Sequence, residues 1–133
     1  MIQYTKTLPV RMDVDVMVAG GGASGAAAAV AAARMGKSVL LAEAGGALGG
    51  VGTTGLVPAF ATFGDGVNVL SAGIGMEIRR AVSRNIPLDR YWTPIDAEEL
   101  KRTYDTITTE AGVKVLFFTT VCDVLTTGGH IDG

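Results

Sequence analysis

Three glycines and one acid carry the chemistry legible in this chain. In Val14-Asp-Val-Met-Val-Ala-Gly-Gly-Gly-Ala-Ser-Gly25, glycines 20, 22 and 25 fall where an apolar run must turn sharply into an alanine-rich stretch ending at Arg34. A second apolar run, Ser38-Val-Leu-Leu-Ala-Glu43, closes on a carboxylate. Gly20 permits a tight turn, Gly22 lets backbone approach an anion with no side chain in the way, and Gly25 lets the helix lie close to the preceding strand. The helix that opens near Ala23 aims its unpaired N–H groups and positive dipole end at the same place, worth up to about 2 kcal/mol in a partly buried geometry. Glu43, eighteen residues past Gly25, stands where a carboxylate accepts hydrogen bonds from both hydroxyls of a ribose and repels a 2′-phosphate. Phosphate seat, helix terminus and ribose acceptor, in that order, are what a dinucleotide requires.

A bare G-x-G-x-x-G also arises from packing alone, so the flanks decide. From Asp13 to Glu43 the unit runs strand, glycine turn, helix, a Gly36 stop and a second strand ending in the acid, the roughly 30-residue length of a βαβ element. Both strands are continuous apolar runs, the pattern of central parallel strands covered on both faces, and the alanine-only face of the helix between them predicts close, buried packing on the sheet.

The elements that must hold this corner follow along the chain. Residues 44–55 form a long glycine-punctuated loop, Gly45-Gly46-Ala-Leu-Gly-Gly50 and Val-Gly-Thr-Thr-Gly55, whose apolar residues argue for wrapping a ligand over disorder. A helix is predicted over about 68–84, with Val69, Ile74, Ile78 and Val82 inward and the Arg79, Arg80 and Arg84 cluster on a solvated face. Ile86 to Pro94 reads as a loop in which Trp92 is a packing plug. Asp96 and Glu99 form a capping-box-like pair opening a helix over about 96–111, with Leu100, Tyr104, Ile107 and Ala111 as its stripe and Gly112 as its stop. Lys114 to Leu125 reads as a strand region bending near Thr119 and Thr120, with Cys122 as a small core residue. Gly128-Gly129 is a turn signal followed by a returning strand from His130, itself an exposed turn residue.

Composition narrows the function. The 133 residues make at most one domain, 48% apolar, with eleven Lys and Arg against thirteen acids. No basic stripe suits nucleic acid. Four glycines interrupt the apolar stretch 14–33, which makes it a poor membrane span, and the first twelve residues lack a simple basic leader, so a cytoplasmic location is the default expectation. A single cysteine offers neither disulfide nor metal site.

On these motifs the chain resembles the N-terminal FAD-binding segment of FAD-dependent oxidoreductases of the glutathione-reductase-like superfamily, over most of its length. Glu43, Leu48-Gly49-Gly50 and Thr53-Thr54-Gly55 are similar in particular to the group that includes the flavoprotein subunit of heterodisulfide reductase. The resemblance implies an α/β, Rossmann-like FAD/NAD(P)-binding domain with a parallel sheet flanked by helices, of which residues 1–133 would be the N-terminal part, incomplete at the C-terminus. It implies that Gly20, Gly22, Ala23, Ser24 and Gly25 hold the FAD pyrophosphate and that Glu43 holds the adenosine ribose. Ala44, Gly49 and Gly50 would flank ribose and pyrophosphate, Thr53, Thr54 and Gly55 would approach the ribityl chain and flavin edge, and Val121 would meet the adenine through its backbone. The second glycine loop favours FAD over NAD.

Departures from the family pattern limit what the resemblance carries. The late Gly-Asp motif of such families has no match here, and the iron–sulfur binding of some relatives needs more than one cysteine. No catalytic residue can be named, and the substrate is open. Two alternatives stand beside the flavin reading: an NAD-dependent dehydrogenase domain, and a non-catalytic nucleotide-binding fragment that self-associates through the unpaired edge of an incomplete sheet.

Overall fold

A computed structural model of the chain describes residues 1–7, 9–83, 86 and 92–133. Strand β1 (Val16–Ala19) enters α1 (Ala23–Arg34), which returns the chain to β2 (Val39–Ala42) parallel to β1, with Val16 opposite Val39 and Val18 opposite Leu41. The starts of the two strands are clasped: the Asp15 carboxylate accepts from the Ser38 N–H at 2.8 Å and hydroxyl at 2.7 Å, while the Asp15 N–H donates to the Ser38 hydroxyl. Those bonds favour the ionised carboxyl and hold Asp15 below the ordinary carboxylate range. Gly36 follows α1 in the left-handed conformation and ends it.

The third strand of this sheet comes late. The loop after β2 contains a single 3₁₀ turn (Gly50–Gly52); then come β3 (Ala59–Phe60), α2 (Ile74–Val82), β4 (Thr93–Pro94) and α3 (Ala97–Ala111), before β5 (Lys114–Leu116) pairs in parallel with β2. The sheet order is β1-β2-β5, and β3 and β4 form a small antiparallel pair of their own. Asp96 caps α3 by accepting from the Glu99 N–H at 2.9 Å. Helices α1 and α3 cover the sheet face that carries Val16, Val18, Val39, Leu41 and Val115, and the core forms there from Ala26, Ala29, Val30, Leu48, Ile78, Leu100, Tyr104 and Ile107. Alanines let α1 lie close to the sheet, so little area per residue is buried but the fit is tight.

Several expectations need correction. All of β2 is buried, but β1 lies at the sheet edge and its residues alternate, leaving Met17 52% exposed; the two-sided covering expected of both strands holds for β2 alone. Helix α2 begins at Ile74, not near 68. The Asp65 carboxylate takes the Val67 and Asn68 N–H groups, the Leu70 N–H bonds back to Phe63, and Gly73 adopts a non-helical turn that sets the helix start. Val69 is therefore exposed and not part of the inner stripe. The expected helix end at Arg84 and the middle of the expected 86–94 loop lie outside the described residues.

Arg79 is not on a solvated face: it is 1% exposed, donates from Nε and Nη2 to the Thr93 hydroxyl at 3.1 and 2.8 Å, and lies over the Phe63 ring. A helical period places residue 79 one position after Ile78, on the flank facing β4, and the long stem buries itself there with its polar head satisfied. Trp92 is 57% exposed, so it is not the buried packing residue expected. Strand β5 stops at Leu116 because Phe118 turns left-handed (φ 52°), which bends the chain before the threonines and leaves Cys122 exposed. Beyond it, β6 (Thr126–Thr127) and β7 (His130–Ile131) form a hairpin over Gly128 and Gly129, both at positive φ.

Candidate functional site

The carboxyl ends of β1, β2 and β5 meet at one point, and the glycine turn leaves β1 there. Gly20 carries a φ of 95° and donates its N–H to the Ala42 carbonyl at 2.8 Å, which turns the chain away from the sheet. A side chain at Gly25 would collide with the Gly20 carbonyl oxygen, so the first turn of α1 packs directly on the corner. Gly22 is different: a Cβ there would meet nothing within 4 Å. Its missing side chain faces open space, the condition for an anion to reach the backbone. Gly22 is also the N-cap of α1 and makes no side-chain cap, so the N–H groups of Ala23 and Ser24, both exposed, open the helix without an intrahelical partner.

The acid of β2 points into this corner. Glu43 is half-buried, and its carboxylate accepts from the Gly21 N–H and from the Gly45 N–H, both at 2.6 Å. It therefore ties the phosphate turn to the start of the second glycine loop. Gly21, to which the G-x-G-x-x-G spacing gives no role, is the most crowded of the three consecutive glycines: a Cβ would run into the Leu48 side chain and sit 3.1 Å from Glu43 Oε2. The unbroken Gly20-Gly21-Gly22 run is the sequence signal for that crowding.

Around Glu43 opens a cleft of about 240 Å³ lined by Ala19, Gly20, Ala42, Glu43, Ala44, Thr119, Thr120 and Val121. Neither Lys nor Arg is among these lining residues, so an anion here depends on backbone N–H groups and the α1 terminus. Thr119 reaches the cleft because its N–H bonds to the Glu43 carbonyl and the Phe118 N–H bonds to the Gly45 carbonyl, folding the chain after β5 onto the loop after β2. Val121 thus stands beside Glu43 and Ala44, across 78 residues of sequence.

The second glycine loop closes on the first. The Gly49 N–H donates to the Gly21 carbonyl at 2.8 Å, Gly22 and Gly49 form a parallel bridge, and a Cβ on Gly50 would lie 3.3 Å from the Gly22 Cα. Both Gly49 and Gly50 have positive φ, and the Tyr104 ring lies directly under Gly49. Burial of that ring pushes the Tyr104 hydroxyl above its ordinary value of 10.0. Thr53 is fully buried with its hydroxyl on the Leu48 carbonyl at 2.6 Å; Thr54 and Gly55 are exposed beyond it. The structure thus gathers Gly20, Gly22, Glu43, Ala44, Gly49, Gly50 and Val121 at one corner, and it places the Thr53 side chain inside the loop, away from solvent.

A dinucleotide fits such a corner: an open anion seat at a helix terminus, an adjoining carboxylate, and a cleft past the strand ends where α/β sheets take ligands. Comparison with known proteins decides which. The model of the FAD-dependent oxidoreductases matches residues 15–133. The chain belongs to that family. FAD is accordingly the cofactor, and the Rossmann-like parallel sheet is that of a flavoprotein. The fold is shared with solved structures. THI4 of Thermovibrio ammonificans superposes with a TM-score of 0.61 at 23% identity, over 89% of this chain and 44% of that one. A geranylgeranyl bacteriochlorophyll reductase-like protein of Thermoplasma acidophilum superposes with a TM-score of 0.59 at 18% identity, over 89% of this chain and 33% of that one. The flavoprotein chain therefore spans less than half the length of either. No curated protein is significantly similar to it in sequence. Among the described residues, no helix is long and apolar enough to cross a membrane.

Proposed function

We propose that this chain is the cofactor-binding portion of a flavin-dependent oxidoreductase that moves hydride or electron pairs to or from a small substrate. Glu43 carries the reading: its carboxylate sits between the open Gly22 seat and the cleft past β2. The backbone at Gly20, Gly22, Ala23, Ser24 and Gly25 would take the pyrophosphate, Glu43 the adenosine ribose and Val121 the adenine, while Ala44, Gly49 and Gly50 would flank ribose and pyrophosphate. Thr54 and Gly55 would lie toward the flavin end of that path. Bound FAD supplies the two-electron chemistry, and this chain orients it and excludes water from its phosphates. Within the family, Leu48-Gly49-Gly50 and Thr53-Thr54-Gly55 support a member of the heterodisulfide-reductase-like flavoprotein group, and a cytoplasmic location belongs to the same proposal.

The experiment is the absorption spectrum of the purified full-length protein, before and after incubation with FAD. A flavin spectrum that survives gel filtration is expected. A colourless protein that instead binds NAD would replace this reading with the dehydrogenase one.

A further inference from the structure

The corner is clamped from within the second loop by a fully buried side chain. Thr53 is 0% exposed, and its hydroxyl donates to the Leu48 carbonyl at 2.6 Å and reaches the Gly50 carbonyl at 3.2 Å. Its N–H bonds to the same Gly50 carbonyl at 3.1 Å. Its γ-methyl, with the edge of the Tyr104 ring, fills the space that a Cβ on Gly49 would need. What Thr53 holds is the piece of loop that contacts the phosphate turn: the Leu48 side chain lies on Gly21, the Gly49 N–H bonds to the Gly21 carbonyl, and Gly50 lies against Gly22.

From this we infer that Thr53 is a positioning residue for FAD: it fixes the left-handed Gly49-Gly50 turn so that the second loop meets Gly21 and Gly22 in register before the cofactor arrives. This rests on the proposed function and deepens it, and it differs from a direct contact of Thr53 with the ribityl chain or flavin. Gly49 and Gly50 have more conformational freedom than any other residue pair, so a loop built on them needs an outside constraint to be ordered in the empty protein. A buried hydroxyl on a buried carbonyl supplies one, because breaking it leaves the Leu48 oxygen without a partner.

The test is FAD titration of the full-length protein and its Thr53→Val and Thr53→Ser variants, with the flavin midpoint potential of each saturated form. Thr53→Val is expected to bind FAD about tenfold more weakly, the loss of one buried hydrogen bond. Thr53→Ser, which keeps the donor, is expected to stay within about threefold of the parent. The potential should be the same in all three, since on this inference Thr53 acts through the loop and not by touching the flavin. Unchanged affinity in Thr53→Val overturns the inference, and so does a shifted potential at unchanged affinity, which marks a direct contact. If Thr53→Val does not fold, Thr53→Cys replaces it, and affinity must fall in the order Thr, Ser, Cys; equal affinities overturn the inference. Failure of the parent protein itself to bind FAD removes the cofactor reading and this inference with it.

Discussion

The Gly21 N–H donates to the Glu43 carboxylate at 2.6 Å, joining the glycine turn after β1 to the acid that ends β2. Besides its proposed contact with the ribose, the carboxylate is thus a brace, with its second oxygen on the Gly45 N–H. Glu43→Ala should therefore act twice. Affinity for FAD should fall by about 1–3 kcal/mol, and thermal stability should fall as well, because two backbone N–H groups lose a charged acceptor. Titration calorimetry and a melting curve on the same preparation check both. A melting temperature equal to the parent's would contradict the bracing role.

Gly22 and Gly25 separate binding from folding. A Cβ at Gly22 enters open space and its φ of −62° suits any residue, so Gly22→Val should fold normally and lose FAD. A Cβ at Gly25 strikes the Gly20 carbonyl, so Gly25→Ala should cost about 1–3 kcal/mol of stability through overpacking. Melting temperatures and flavin content of the two variants should change in opposite order.

Buried Arg79 predicts an intolerant position that is not among the residues lining the cleft. Lysine cannot reproduce the two-pronged donation to the Thr93 hydroxyl or lie flat over Phe63, so Arg79→Lys should destabilise the fold by about 1–3 kcal/mol. Denaturant unfolding reads this. The exposed Arg80, substituted in the same way, serves as the control and should stay within about 0.5 kcal/mol.

Tyr104 sets a pH dependence on the alkaline side. Its folded hydroxyl titrates above the ordinary 10.0, so the unfolded chain loses that proton first as pH rises. The contribution is whole below pH 10.0 and is lost from there up to the raised folded value. Tyr104→Phe should flatten the fall in melting temperature above pH 10.0, leaving the curve at neutral pH nearly unchanged.

A surface acid held low by its partner acts at the other end of the scale. Glu77 is kept ionised chiefly by its bidentate bond to Arg34, at 2.7 and 2.8 Å, and its carboxyl lies below the ordinary 4.5. Its stabilisation is present above pH 4.5 and is lost as pH falls through the lowered value. Both side chains are 43% exposed, so Glu77→Gln should cost only about 0.2–1 kcal/mol at neutral pH. High salt should shrink that difference.

Sequence alone determined the βαβ corner. Glycine spacing, an alanine-rich helix and an acid at a strand end are local features, and the 3.6-residue and strand periods translate them directly into a turn, a helix and a pair of parallel strands. The same holds for α3, where Asp96 and the Leu100, Tyr104 and Ile107 stripe are all within one element. Tertiary structure decided what depends on meeting across the chain. Only folding brings Val121 beside Glu43, sets the Gly49 N–H on the Gly21 carbonyl, and turns the Thr53 hydroxyl inward to Leu48. It also buries Arg79 against Thr93 and Phe63, and ends β5 at a left-handed Phe118. Charge and periodicity report which side of a helix is polar; they do not report whether a strand or ring arrives to cover it, because that is settled by contacts between residues distant in the chain.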